Sequence, residues 1–344
     1  MNLLIFKLNH LGDNVVFLPV VQALRVQCPD WKITVITTPR EAELYGGLLA
    51  PAEVLTCGKL RFDKAWRRPW ELAAWFARVR ARQPEACLIS FDQASVPHLL
   101  ARHSGASLRV GGNLEHIRFA GTLTHEVPLP AGARPADWNW EMARTLVQVA
   151  GRGPLAATPP PPDLWHLISP SPRPDRRHVV VHAGSSGPVT RWPVERFAAV
   201  ANQLAEDHEV TWVERPEISG VSLADPVRRV APDSIRALVS LLARADFFLG
   251  NNSGPMHLAN GLGLAGVVVT GSSAPGWDPY WFRERWSVLR HPSLPCQPCE
   301  RPNKATVACA NTANPLACLQ YWSAQAVEAA CRETLARVAS ERQA

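Results

Sequence analysis

A chain of 344 residues, 47% hydrophobic and 19% charged, is long enough for two ordinary domain cores and too apolar for large-scale disorder. Its formal charge of +6 and pI near 9.0 suit an anionic substrate or a membrane surface, but the Lys and Arg residues are scattered and do not point to nucleic acid. The longest apolar runs, such as residues 266–269, fall far short of the ~20 residues that cross a bilayer, and residues 1–7 turn polar too early for a signal-peptide core, so a cytoplasmic protein is expected.

Residues 3–7 form a short apolar run, followed by a polar loop and an apolar-periodic stretch at 15–26, which reads as strand, loop, helix. The β-branched run at 32–37 is the next strand, so the chain opens as a β-α-β unit with a parallel sheet. Further strands are expected at 86–91 and 108–111. Trp66, Trp70, Trp75, Trp138 and Trp140 lie near charged residues and serve either packing or an amphipathic acceptor. From 151 to 175 the pattern dissolves, with prolines at 154, 159–162, 170, 172 and 174, which marks an interdomain linker.

The alternation then restarts, with strands expected at 178–182, 209–213, 246–249 and 266–270 and helices at 194–205, 234–243 and 256–262. The domains are therefore 1–160, a linker at 161–177, a second domain at 178–323 and an amphipathic C-terminal helix within 324–344. Ligands of such sheets bind outside the carboxyl ends of the strands, which directs attention to the loops there.

The loop after the first strand places Gly12 and Asp13 at a helix entry, where Asp13 serves either as a helix cap or as a catalytic carboxylate. After the strand at 178–182 come Gly184, Ser185, Ser186 and Gly187, small residues whose amides can approach a phosphate, followed by Thr190-Arg191-Trp192-Pro193. This is not a P-loop, since the Gly-Lys-Ser/Thr ending is missing. Asn252, Ser253 and Gly254 again follow a strand and open a helix, and His257 sits one turn in, either as a structural hydrogen-bonder or as a diphosphate contact. Cys296, Cys299, Cys309 and Cys318 cluster in a Pro-rich loop at 295–319, which in a cytosolic chain reads as a structural zinc or iron site ahead of disulfides, with buried metal-free thiols as the alternative. Cys28, Cys57, Cys87 and Cys331 are dispersed and read as buried thiols.

The ordered set Gly12-Asp13, His182-Ala183-Gly184, Thr190-Arg191-Trp192-Pro193 and Asn252-Ser253-Gly254-Pro255-Met256-His257-Leu258-Ala259 resembles glycosyltransferase family 9, the ADP-heptose:lipopolysaccharide heptosyltransferases, from residue 3 to about residue 320. The resemblance implies a GT-B architecture of two Rossmann-like, doubly wound domains facing each other across a cleft. The first domain would take the acceptor and the second the nucleotide-sugar, ADP-heptose, with the last helix packing back on the first domain. It also implies a single inverting displacement with Asp13 as general base. The leaving diphosphate would be stabilised by amides at Ser185, Ser186, Ser253 and Gly254 together with Arg191 and His257, without a catalytic divalent metal. Two positions depart from the family pattern: Thr190 stands where the family has a phosphate-binding Lys, and Asn252 where it has Asp. Relatives that glycosylate autotransporter proteins carry similar cysteines and hold iron there, so the acceptor is a saccharide, a lipid-linked saccharide or a protein. Peripheral contact with the inner face of a membrane is compatible with each. A non-catalytic nucleotide-sugar-binding subunit is the alternative that Thr190 and Asn252 leave open.

Overall fold

In a computed structural model the described residues are 1–91, 95–112, 121–128, 132, 134–169, 176–300 and 308–341. The chain divides into two units, Met1–Leu167 and Ile168–Ala344, so the boundary falls inside the Pro-rich segment.

The first unit runs β1 (Asn2–Phe6), α1 (Leu11–Gln27), β2 (Lys32–Thr37), β3 (Val54–Thr56), α2 (Lys59–Asp63), α3 (Pro69–Arg80), β4 (Ala86–Ile89), α4 (Ser95–Arg102), β5 (Leu108–Gly112), β6 (His125–Val127) and α5 (Pro135–Val149). Its six-stranded sheet has the order β3-β2-β1-β4-β5-β6, and all its pairings are parallel. The inner strands are buried on both faces, as Leu3, Leu4, Ile5 and Phe6 of β1 show, which is why they read as continuous apolar runs. Leu4, Phe6, Ile36, Trp75, Val79 and Ile89 belong to one core cluster on the α3 side of this sheet.

The second unit runs β7 (His178–His182), α6 (Val194–Leu204), β8 (Glu209–Val213), β9 (Val227–Val230), α7 (Ile235–Ala243), β10 (Phe247–Asn251), α8 (Gly254–Gly261), β11 (Ala265–Val269), β12 (Trp286–Leu289), α9 (Ala317–Gln320) and α10 (Ala324–Glu341). Its sheet order, β12-β11-β10-β7-β8-β9, is the same arrangement: the first strand of each unit lies mid-sheet, with the second on one side and a later strand on the other. Each unit is thus doubly wound, with a topological switch point between β1 and β4 and between β7 and β10.

Helix α10 is spent on its own unit. Val327, Cys331, Leu335 and Val338 lie in the core cluster that also holds Phe197 of α6 and Val267 of β11. The apolar stripe that made this segment a candidate for packing on the first domain is therefore already covered by the second.

Candidate active site

Both switch points carry the residues singled out in the sequence. Helix α1 begins at Leu11, earlier than its apolar period suggests, so Gly12 and Asp13 lie inside its first turn. The N-cap is His10, which makes no side-chain capping bond, and the turn is pinned instead by Asn14. The fully buried Asn14 amide donates to the carbonyls of Asn9 at 3.0 Å and His10 at 3.1 Å, while its Oδ1 accepts from Tyr45 Oη at 2.9 Å and Thr37 Oγ1 at 3.3 Å. Asn14 thus does the fixing that a capping reading assigned to Asp13. The partly buried Asp13 carboxylate stands in the first turn, where the helix dipole favours its charge.

Across the same switch point lies Lys7, a residue that sequence reasoning passed over. Its side chain is fully buried, and Nζ donates to Ser90 Oγ at 3.2 Å, 5.6 Å from the Phe17 ring centroid and 5.8 Å from that of Phe91. Ser90 in turn donates to Asn139 Oδ1 at 3.0 Å. Burying an ammonium is costly unless it is compensated, so a lysine held at a strand end by a hydroxyl and two ring faces belongs with functional groups. The signal available was a single cation ending an otherwise apolar strand.

In the second unit the turn after β7 is closed by Thr190, whose hydroxyl shares a hydrogen bond with Ser185 Oγ at 2.5 Å and donates to the Gly187 carbonyl at 3.0 Å. The Arg191 guanidinium also reaches Ser185, donating Nη2 to its carbonyl at 3.0 Å, and sends Nη1 to the Glu217 carbonyl at 3.3 Å. Thr190 and Arg191 therefore both turn toward Ser185, the hydroxyl closing the turn and the cation lying along it. Gly184 lies close to the loop after β8, since a Cβ there would stand 3.1 Å from Glu217 Oε1. Burial works against the charged form of Glu217, but its own backbone hydrogen bond and Arg215 outweigh it and hold the carboxyl below the usual range.

Asn251, at the end of β10, ties the two motif loops together. Its amide donates to the Ala183 carbonyl at 2.8 Å and its Oδ1 accepts the Trp192 backbone N–H at 2.9 Å. Helix α8 starts at Gly254, two residues before the apolar pattern, with Ser253 as N-cap, so the Ser253 and Gly254 amides stand at a helix N-terminus that favours anions. His257 is buried behind this turn, with the Trp277 ring edge-on at 6.1 Å. Asn252 turns away from the helix and donates Nδ2 to Asp278 Oδ1 at 2.9 Å.

The four clustered cysteines lie beside the loop after β11. Gln297 Nε2 donates to the carbonyls of Thr270 at 2.8 Å and Gly271 at 2.7 Å, and Glu300 bridges Ser272 and Ala274 with its backbone N–H and Oε2. Gly271 itself sits so close to Val189 that a Cβ would approach its carbonyl oxygen to 2.2 Å. Burial pushes the Cys299 thiol up, and Cys296 and Cys309 push it the same way. Burial takes Cys318 to about 11, with Cys299, Cys309 and Cys296 adding to the rise. The four sulfurs therefore share one neighbourhood, and the Leu316 N–H donates to Cys309 Sγ at 3.3 Å. A soft thiolate set of this kind suits zinc or iron. Among the described residues no group of three or more His, Cys, Asp or Glu closes into metal-holding geometry, and residues 301–307 of the loop lie outside them.

Comparison with known proteins fits this architecture. Residues 164–307 match the family described as glycosyltransferase family 9 (heptosyltransferase). Among solved structures the chain is similar to the E. coli heptosyltransferase WaaC with ADP-2-deoxy-2-fluoro heptose, at 17% identity over 96% of this chain and 98% of that one, TM-score 0.71. It is equally similar to E. coli ADP-heptose LPS heptosyltransferase II, at 18% identity over 100% of both chains, TM-score 0.71. The iron-containing dodecameric glycosyltransferase TibC from enterotoxigenic E. coli aligns at 14% identity over 98% of this chain and 76% of that one, TM-score 0.55. No curated protein sequence matches the chain.

Proposed function

Because residues 164–307 are a glycosyltransferase family 9 domain, we propose that this enzyme moves a heptose or related sugar from an ADP-sugar to a hydroxyl of a lipopolysaccharide-type saccharide acceptor, inverting the anomeric centre. The observation that carries this reading is the placement of Asp13 at one switch point and of the two small-residue turns, Gly184–Arg191 and Asn252–His257, at the other. In the proposed step the Asp13 carboxylate takes the proton of the acceptor hydroxyl as its oxygen bonds to the anomeric carbon, and the bond from that carbon to the diphosphate breaks. The leaving diphosphate gains negative charge, which the amides of Ser185, Ser186, Ser253 and Gly254 and the Arg191 guanidinium are placed to offset. Heptosyltransferases of this fold have been solved with ADP and with an ADP-heptose analogue, which supports an ADP-sugar donor here.

Arg191→Ala and His257→Ala are each expected to weaken ADP by roughly tenfold, the scale of one charge-assisted contact. Calorimetry on the two variants checks it, and unchanged affinity in both moves the donor site elsewhere.

A protein acceptor is the second reading, favoured by the cysteine cluster and by the likeness to iron-containing TibC. In either case the proposed locale is peripheral to a membrane: among the described residues no helix is long and apolar enough to cross one. Trp66 and Trp70, 56% and 69% exposed, flank Arg67 and Arg68 at the start of α3, and the Arg67 guanidinium lies 5.0 Å from the Trp66 ring centroid. Exposed indoles beside cations suit an anionic bilayer interface. Joint Trp66→Ala and Trp70→Ala replacement is expected to lower sedimentation with phosphatidylglycerol-containing vesicles severalfold. Equal binding by wild type and variant would remove the patch from membrane contact.

A further inference from the structure

The turn at Pro275–Trp277 and the end of β12 supply a group that no sequence motif announces. Asp278 Oδ1 accepts two hydrogen bonds at 2.9 Å, from Asn252 Nδ2 and from Arg290 Nη2. Arg290 is fixed in turn by donating Nη1 to the Ser273 carbonyl at 2.6 Å. The Asp278 and Arg290 side chains are each about four-fifths buried, at 19% and 20% exposure, and Asn252 is 8% exposed. The same turn sets Trp277 against His257, so the opening of α8 receives two neighbours from one short segment.

We propose that Asp278 is a specificity residue for the transferred sugar, and that Asn252 and Asp278 form a matched pair in which the carboxylate absent from position 252 is supplied from position 278. This rests on the reading of the second unit as the nucleotide-sugar site. The amide at 252 follows from the geometry: an Asp there would set two carboxylates at hydrogen-bond distance, and like charges so close force one of them to keep a proton. With Asn, the amide N–H₂ turns to Asp278 and the charge stays at one defined place. Diphosphate is an unsuitable ligand for this group, because the carboxylate repels it and Arg290 is already paired. The anion-favouring surface is the neighbouring α8 N-terminus. Neutral hydroxyls suit an acceptor-rich group beside an anion site, and the transferred sugar is the part of the donor that carries them next to the diphosphate.

The test compares wild type, Asp278→Asn, Asn252→Asp and the exchange Asn252→Asp/Asp278→Asn, measuring ADP affinity by calorimetry and kcat and KM for ADP-heptose. Losing a charged hydrogen-bond acceptor from a polar site is expected to raise KM for ADP-heptose roughly 10- to 100-fold in Asp278→Asn. ADP affinity should change less than twofold, which also shows that the variant is folded. The exchange should recover most of the loss, because it restores one carboxylate and one amide. An unchanged KM in Asp278→Asn, an equal loss of ADP and ADP-heptose, or an exchange no better than its parent overturns the pairing. Wild-type protein that does not bind ADP overturns instead the donor-site reading beneath it.

Discussion

Replacement of Asp13 by Asn is expected to lower turnover by about 10² or more while ADP affinity stays near its wild-type value, as removal of a general base alone should. Asn matches Asp in shape, so the first turn of α1 is retained, and Asn14 continues to hold the carbonyls of Asn9 and His10. The carboxylate also interacts with the helix dipole, which is worth about 0.3–1 kcal/mol of stability. A 10²-fold rate loss corresponds to about 2.7 kcal/mol, so a lost dipole contact alone is too small to produce it. Steady-state kinetics with ADP-heptose, alongside ADP calorimetry and a thermal melt, separate the two contributions. Wild-type turnover in Asp13→Asn would return the residue to a purely structural role and end the proposed mechanism.

What the sequence disclosed, and what it hid, follows from where each residue sits. The inner strands β1, β2, β7, β8, β10 and β11 were legible because parallel strands buried on both faces read as apolar runs. The outer strands β3, β6, β9 and β12 were not: β9 is Val227-Arg228-Arg229-Val230, with both arginines exposed, and β6 is only Glu126 with a neighbour on each side. Helix α5 escaped notice because its buried face is built largely from Trp138, Trp140 and Met142 beside Asn139, rather than from an aliphatic period. Starts of α1 and α8 were placed late because their first turns hold Gly12-Asp13 and Gly254-Pro255, which look like loop until they are seen as anion-facing helix ends.

The site shows the same division. Gly184, Ser185, Arg191, Asn252 and His257 were legible because a strand-end turn needs them contiguous in sequence. Asp278, Arg290 and Glu217 reach the same loops from segments without a motif, by hydrogen bonds that only the folded chain brings about. Lys7 was hidden in plain view at the end of β1. Its Ser90 partner comes from the neighbouring strand end, 83 residues on, and nothing local in the sequence records that pairing.

The cysteine loop carries the other large expected effect. We propose that Cys296, Cys299, Cys309 and Cys318 hold one structural metal ion, zinc or iron, so that elemental analysis should find about one equivalent per chain, as four thiolates fill one tetrahedral site. The mutual upward push on Cys299 and Cys318 supports this, because crowded thiols are costly to ionise unless a cation offsets their charge. Prolines at 295, 298, 302 and 315 leave the loop little regular hydrogen bonding of its own. Its anchor is the strand-end loop at 270–274, through Gln297 and Glu300, and that loop meets the phosphate turn where the Ser272 N–H donates to the Val189 carbonyl at 3.0 Å. Cys299→Ser should therefore lose metal and thermal stability together, each kcal/mol lost lowering Tm by roughly 2–4 °C in a unit of this size. ADP affinity should fall as well, while Cys87→Ser, in the core of the other unit, should leave metal content unchanged. Metal-free protein with wild-type stability and ADP affinity would remove the site, and with it the main ground for favouring a protein acceptor over a saccharide.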